Sequence, residues 1–405
     1  MDATADALAG DAPAARADDP EADLLVEALD LPEPSVRAFS REPLGRGTVA
    51  GFVLEPGAAS ASGLPSDAVA YVDTSLLPVA QETGLALPGV GRVWVHPADP
   101  HLPALAPAAF SDAIAVLFAR LGVTDAARPE IVGYRPGRRA VLRVATAEGA
   151  LWVKVVRPSR IERVVEAHTV LRSHGLPVPV VRGWSPTGLL VLESAAGIAA
   201  TDTATLAWSP ERLLDATATL REAMAATATA WPARTSLAER LPWYVDRLRG
   251  ALPAADARVA SIASRIDDAL HSAPPASVTI HGDLHLGQLF LDAEGAITGL
   301  IDVDTAGLGD PADDAAAFTG HAVASALLTR HHGGDAARVA ALADAAHERW
   351  GHGPRVGALT GVHLLGHALA AASAGDDARA GHLLTAAERA LADHKSPLMA
   401  DFEGS

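Results

Sequence analysis

The sequence predicts an α+β fold in two lobes: a small, mainly antiparallel β lobe with one key helix, then a larger, mostly helical lobe, preceded by a cap subdomain. Three observations carry that prediction. Residues 130–193 alternate apolar and polar side chains around short turns, with one helical stretch interposed. Beyond Ala199 apolar residues recur with helical spacing almost to the C-terminus. Within that helical part a single stretch, 288–301, reads as a β-hairpin.

Taken in order, residues 1–22 mix Ala, Asp, Gly and Pro without a hydrophobic period, and a disordered tail is expected there. The cap, 23–125, shows a helix-like Leu24 to Leu29, strands around Val49 to Leu54 and Val93 to His96, and a helix from Ala108 to Leu121. The small lobe, 126–195, follows. Leu142 and Val144 alternate with Arg143 and Ala145, Ala147-Glu148-Gly149 makes a turn, and Leu151 to Val156 form the next strand. A helix with the stripe Ile161, Val165, His168 and Leu171 comes next, with Ser159 as N-cap and Glu162 completing a capping box; Gly175 and Pro177 end it. Leu189 to Leu192 is the last strand of the lobe. In the helical lobe, 196–405, amphipathic segments are expected near 203–230, 236–271, 311–330, 335–349, 355–373 and 377–393.

Composition narrows the functions available. A chain of 405 residues, about half of them hydrophobic, can bury a sizeable core. No uninterrupted apolar run of about 18 residues is present, and the N-terminus is acidic, so no membrane partner and a cytoplasmic location are expected. The absence of cysteine removes thiolate chemistry and leaves oxygen or imidazole as metal ligands. A formal charge of -17 without a basic patch argues against nucleic acid.

The chemistry concentrates in His281-Gly282-Asp283-Leu284-His285-Leu286-Gly287-Gln288 and in Asp302, which ends the apolar run after it. Asp283 and Gln288 have the spacing of base and metal ligand in the kinase catalytic loop H-R-D-L-x-x-x-N. In phosphoryl transfer a carboxylate that aligns an acceptor hydroxyl suffices, so Asp283 is the catalytic candidate. The hairpin would bring Gln288 and Asp302 together as hard oxygen ligands for Mg²⁺. Asp304, on the same side if the chain stays extended, is either a further ligand or a loop Asp bonded to backbone amides. His281 is expected to scaffold the loop, because imidazole is a poor Mg²⁺ ligand; His285 either contacts substrate or packs. His363 and His367 stand i, i+4, but Leu364 occupies the place of the catalytic Glu of H-E-x-x-H, which excludes a zinc protease.

Upstream, Lys154 lies in the apolar strand Leu151 to Val156 and needs a partner, for which Glu166 on the following helix is the natural choice. The pair resembles the strand Lys and helix Glu that hold nucleotide phosphates in kinases. The turn Tyr134-Arg135-Pro136-Gly137-Arg138-Arg139 lacks a G-x-G-x-x-G pattern. Its Gly137 backbone and Arg138 or Arg139 either bind phosphate or form a solvated turn. Gly309-Asp310-Pro311-Ala312-Asp313-Asp314 starts a helix with N-cap, Pro and first-turn carboxylates, only a few residues after Asp302. That short path leaves no peptide-docking segment and points to a small-molecule acceptor.

On His281-Gly282-Asp283, Gln288, Ile301-Asp302 and Gly309-Asp310-Pro311, the chain resembles the aminoglycoside phosphotransferase family of the protein-kinase-like fold. The phrase 281–288 is also similar to actinobacterial maltokinases, which likewise carry an N-terminal cap. The resemblance covers about 126–330 well. It implies ATP and Mg²⁺ as cofactors, with nucleotide on the backbone of Leu192, Glu193 and Ser194, and transfer of the γ-phosphate to a hydroxyl of a sugar, amino sugar or aminoglycoside-like metabolite. The alternatives are a catalytically weak, nucleotide-binding relative, motivated by Gln288 in the place of Asn, and a metal-dependent phosphohydrolase.

Overall fold

The structure, a computed structural model, describes residues 19–31, 35–202, 206, 208–392 and 395–400. The chain forms two compact units, 1–166 with 180–194, and 167–179 with 195–405. Most of the expected tail lies outside the described residues, but its end does not: helix α1 already begins inside it, at Pro20–Leu29. Asp19 caps that helix by accepting from the Glu21 and Ala22 amides, and Pro20 occupies the first helical position, where it sacrifices no hydrogen bond.

The first unit holds two antiparallel sheets. In the N-terminal one, β1 (Val36–Leu44), β2 (Gly47–Leu54), β3 (Val69–Asp73), β4 (Leu85–Leu87) and β5 (Gly91–Val95) stand in the order β1-β2-β3-β5-β4. The short helix α2 (Pro56–Ala61) links β2 to β3. Leu25, Phe52, Leu54, Val72 and Val93 pack on one side as an apolar core. Phe39, Tyr71 and Trp94 form a second cluster, in which Tyr71 stacks on Trp94 at 5.6 Å between ring centroids. The single helix expected at 108–121 is broken into α3 (Leu105–Ala109) and α4 (Ser111–Arg120), because Phe110 adopts an extended conformation between them.

The second sheet comprises β6 (Glu130–Arg135), β7 (Arg139–Thr146), β8 (Gly149–Val156), β9 (Val181–Ser185) and β10 (Leu189–Glu193), ordered β6-β7-β8-β10-β9. Helix α5 (Pro158–Ser173) lies between β8 and β9 in sequence. It starts one residue ahead of Ser159, which places Ser159 inside the first turn and not at the expected N-cap position. Gly175, with φ of 83°, then reverses the chain, and the Leu176 amide closes on the Leu171 carbonyl at 3.1 Å.

The second unit contains β11 (Ile198–Ala199), α6 (Pro210–Ala225), α7 (Leu241–Ala251), α8 (Asp256–Ser272), β12 (Val278–Ile280), β13 (Leu289–Leu291), β14 (Ile297–Leu300) and β15 (Gly307–Gly309). The long helices α9 (Pro311–His331), α10 (Ala337–Trp350), α11 (Pro354–Ser373) and α12 (Asp377–Ala390) follow. The expected helix at 203–230 shortens to α6; 203–205 and 207 lie outside the described residues. Helix α11 is long and apolar enough to cross a membrane by length and composition. Its apolar residues, among them Leu359, Val362, Leu364 and Leu365, are buried in the helical core instead. A helix packed on several sides needs no polar face, which accounts for its composition.

Candidate active site

The 281–288 stretch leaves β12 as a loop fixed from three directions. His281 is fully buried. Its amide donates to Asp314 Oδ2 at 2.8 Å, and the Gly282 amide donates to Asp314 Oδ1, also at 2.8 Å. The His281 Nε2–H donates to the Ile301 carbonyl at 3.0 Å, which ties the loop to the end of β14. Thr305 Oγ1 closes the third side on the His281 carbonyl at 2.8 Å. His281 therefore scaffolds, as the sequence leads one to expect of an imidazole beside hard oxygen donors. Gly282 has φ of 82°, and a Cβ there would stand 2.6 Å from the Thr305 carbonyl oxygen, so only glycine fits without a shift.

Asp283 follows immediately, partly exposed, and its Oδ2 is bound by Arg234 Nη1 at 2.6 Å. Arg234 is in turn located by its amide, which donates to the Thr305 carbonyl at 2.9 Å. Burial holds the guanidinium below its ordinary pKa, and the Asp283 charge opposes that shift. Nothing in the spacing of the motif points to Arg234, which is brought to the loop by the pairing of Pro232 with Leu308 and by its own amide bond to Thr305.

Gln288 closes a short 3-10 turn, Leu286–Gln288. Its Oε1 accepts from the His285 amide at 3.1 Å, while His285 Nδ1 accepts from the Gly287 amide at 3.1 Å. One lone pair of the Gln288 oxygen is thus used to cap the turn. The Gln288 carbonyl also accepts the Ile301 amide at 3.1 Å, so the hairpin brings Gln288 beside the residue that precedes Asp302. Asp302 adopts φ 58° and ψ 34°, a left-handed conformation that Asp tolerates better than most residues. A 3-10 turn, Val303–Thr305, follows directly. The extended path that would align Asp304 with Asp302 is therefore absent: Asp304 sits on that turn, and its side chain is directed by the turn and not by strand alternation.

Asp313 and Asp314, whose place in the first turn of α9 favours the helix dipole, do more than that. Asp314 is the clamp on the loop described above. Asp313 accepts from Ser236 Oγ and from the Leu237 amide at 3.1 and 3.2 Å, holding the segment that follows Arg234. Burial raises the Asp313 pKa to about 6 despite those bonds. Asp310 caps α9 through the Ala312 amide and pairs with Arg355.

In the first unit Lys154 is buried at the centre of its sheet, opposite Val141 on one side and Leu190 on the other. It is not an edge residue. Glu166 lies on the exposed face of α5, where its charge acts on Arg163. The 134–139 turn departs from a phosphate-binding loop. The Gly137 amide donates to buried Asp99 Oδ2 at 2.7 Å, and the Gly137 carbonyl accepts Arg157 Nε at 2.6 Å. Arg138 is directed to the Pro43 carbonyl and to Glu42. The physical reason is Asp99, a desolvated carboxylate that also takes Tyr134 Oη at 2.8 Å and draws the turn onto the N-terminal sheet. Leu192 is buried, Glu193 pairs with Arg182 at 3.1 Å, and Ser194 Oγ donates to the Ala150 carbonyl while accepting from Trp152 Nε1.

A model of the phosphotransferase enzyme family matches residues 131–359, more than half of the chain. The chain belongs to that family. It is therefore a phosphotransferase, and its described residues form an α+β fold. Among solved structures, a macrolide 2'-phosphotransferase type I is 21% identical, covering 70% of this chain and 97% of its own, with a TM-score of 0.45. A thermostable mutant of the aminoglycoside phosphotransferase APH(4)-Ia is 17% identical, with coverages of 68% and 97% and a TM-score of 0.49. A choline/ethanolamine kinase family protein from Mesorhizobium loti is 18% identical, with coverages of 66% and 92% and a TM-score of 0.43. The search of curated proteins returned no match.

Proposed function

We propose that this phosphotransferase is a cytoplasmic kinase that moves the γ-phosphate of ATP to a hydroxyl of a small molecule of the sugar, amino sugar or aminoglycoside-like class. The observation that carries the reading is the doubly clamped loop: Asp314 and the His281 ring fix the backbone just ahead of Asp283, and Arg234 fixes its carboxylate. With Oδ2 committed to Arg234, Oδ1 is left to accept a hydrogen bond from the acceptor hydroxyl and to aim its lone pair. The hydroxyl oxygen attacks the γ-phosphorus, the bond to the β,γ-bridging oxygen breaks, ADP leaves, and the hydroxyl proton passes to Asp283.

The donor set fits Mg²⁺. Asp302 supplies a carboxylate, Gln288 has a second lone pair on its amide oxygen, and Asp304 is close in sequence; all are hard oxygen donors. A bound Mg²⁺ would neutralise the charge on the phosphates. On the nucleotide side, the reading gives Lys154 and Glu166 the phosphates and the backbone of Leu192, Glu193 and Ser194 the base. Arg138 would join them only by leaving Glu42 and Pro43. Support on the acceptor side comes from a cavity of about 480 Å³ beside His285, with Ser325, Asp335 and Arg338 in its wall, a mixed donor and acceptor lining suited to a polyhydroxylated ring. The relatives that share the fold include a complex of aminoglycoside phosphotransferase APH(4)-Ia with ADP and hygromycin B.

The test is an ATP-consumption assay over a panel of sugars, amino sugars and aminoglycosides, run beside calorimetric titration with ATP and Mg²⁺. Metal-dependent nucleotide binding together with turnover on at least one hydroxylated acceptor is the expected result. No nucleotide binding overturns the kinase reading, and phosphate release without acceptor favours a phosphohydrolase.

A further inference from the structure

The i, i+4 pair His363 and His367 on α11 has no part in the proposed transfer, yet the fold brings a third imidazole to it. His321, projecting from α9, lies with its ring centroid 4.4 Å from His363 and 5.0 Å from His367, and the pair themselves are 4.8 Å apart. One nitrogen of each ring falls within 4.8 Å of the others, the one such three-ligand group among the described residues. A tetrahedral ion with bonds of about 2.0 Å needs nitrogens roughly 3.3 Å apart, so small ring rotations close the set. Nε2 of both His363 and His367 is buried without a hydrogen-bond partner. Two orphaned imidazole nitrogens, on rings that both pack against the same third ring, call for an explanation, since an unpaired buried polar atom is costly. Packing at the site is close. Gly320 on α9 leaves room for the His363 ring, and a Cβ at that position would stand 2.5 Å from it. His321 also lines the 480 Å³ cavity, which gives an ion a path from solvent.

We propose that His321, His363 and His367 form a binding site for a divalent transition-metal ion of the Zn²⁺ class, separate from the Mg²⁺ donors Asp302 and Gln288. Three neutral imidazoles with one open position are a zinc-type ligand set, and imidazole selects such ions over Mg²⁺. His285 of the catalytic loop rests on His321 at 4.2 Å between centroids, so an ion there braces the loop from its helical side.

The experiment uses the full chain stripped of metal by chelator and titrated with Zn²⁺ alone by calorimetry, then with Co²⁺ followed by visible absorption. One Zn²⁺ per chain, a four-coordinate Co²⁺ spectrum, and a rise in Tm with the ion are expected. His321→Ala and His367→Ala should each weaken binding by about 100-fold or more while their metal-free Tm stays close to that of the parent. The neighbouring surface pair His331 and His332 serves as control, and its double alanine variant should bind as the parent does. Should a variant not fold, the parent Co²⁺ spectrum decides by itself: a weak six-coordinate spectrum refutes the site. Absence of stoichiometric Zn²⁺ binding, binding that survives His321→Ala, or loss of binding in the His331/His332 variant overturns the proposal. None of these outcomes depends on kinase activity.

Discussion

Replacing Asp314 with Ala removes both oxygens that hold the amides of His281 and Gly282. Each is a charge-assisted bond of 2.8 Å, and bonds of that type are each worth about 1.5–3 kcal/mol, or about 3–6 kcal/mol for the two. The carboxylate is only 2% exposed, so water does not readily take its place. Its charge also supports the half-buried Arg221 guanidinium. Relief from burying a carboxylate works the other way and favours the lower half of the range, about 3 kcal/mol. Against a total stability of about 5–15 kcal/mol that loss is large. Urea denaturation measures it, and turnover measured well below the midpoint should fall as well, because Asp283 is the next residue along the released loop. Asp314→Asn, which keeps one acceptor oxygen, should lie between the two. A loss below about 1 kcal/mol with turnover unchanged would refute the claim that Asp314 positions the loop.

Three further outcomes are expected. Gly282→Ala must carry a φ of 82° at a cost of about 1–2 kcal/mol and press its Cβ on the Thr305 carbonyl; turnover should drop by about 10-fold or more, with Tm lowered, in paired kinetic and thermal measurements. Asp313 has a folded-state pKa of about 6, above its unfolded value of 3.8, so its stabilising effect is complete below pH 3.8 and is lost as pH rises through 6. That shift corresponds to about 3 kcal/mol, and Asp313→Asn should gain stability relative to the parent between pH 4 and 7; parallel stability curves for the two proteins would contradict the assignment. Arg234→Gln removes the guanidinium that fixes Asp283. It should lower kcat by about 10-fold or more and leave nucleotide affinity unchanged, as steady-state kinetics and calorimetry can show.

The parts of the site that were legible in the sequence are those written on one short stretch of chain. Asp283, Gln288 and the hairpin are local, and strand pairing from Leu289 with Leu300 brings Gln288 to Ile301. Arg234, Asp314 and His321 are not local. Each reaches the loop through helix packing or through the pairing beside β15, and such contacts leave no periodic trace. The carboxylates at 313 and 314 were readable as dipole partners of α9, but their second role depends on which backbone amides face them. Asp304 shows the converse failure. Strand alternation stops where Asp302 turns left-handed, so a two-residue spacing no longer implies a shared side. The Gly137 turn was readable as either a phosphate loop or a solvated turn, and the bond that buried Asp99 makes with its amide could not be read from the sequence. In the first sheet, β2 and β5 were visible as apolar runs, whereas β1, with Arg37, Arg41 and Glu42 along it, reads as polar until its pairing with β2 is known.

The role proposed for Asp283 is to align an acceptor hydroxyl on a loop held in place by its neighbours. It is tested most directly by measuring kcat and nucleotide affinity of Asp283→Ala side by side on the acceptor found in the panel. Asp283→Ala should lower kcat by about 100-fold or more, within the span a positioned acid–base group contributes, with ATP binding retained. Undiminished phosphate transfer by that variant would contradict it.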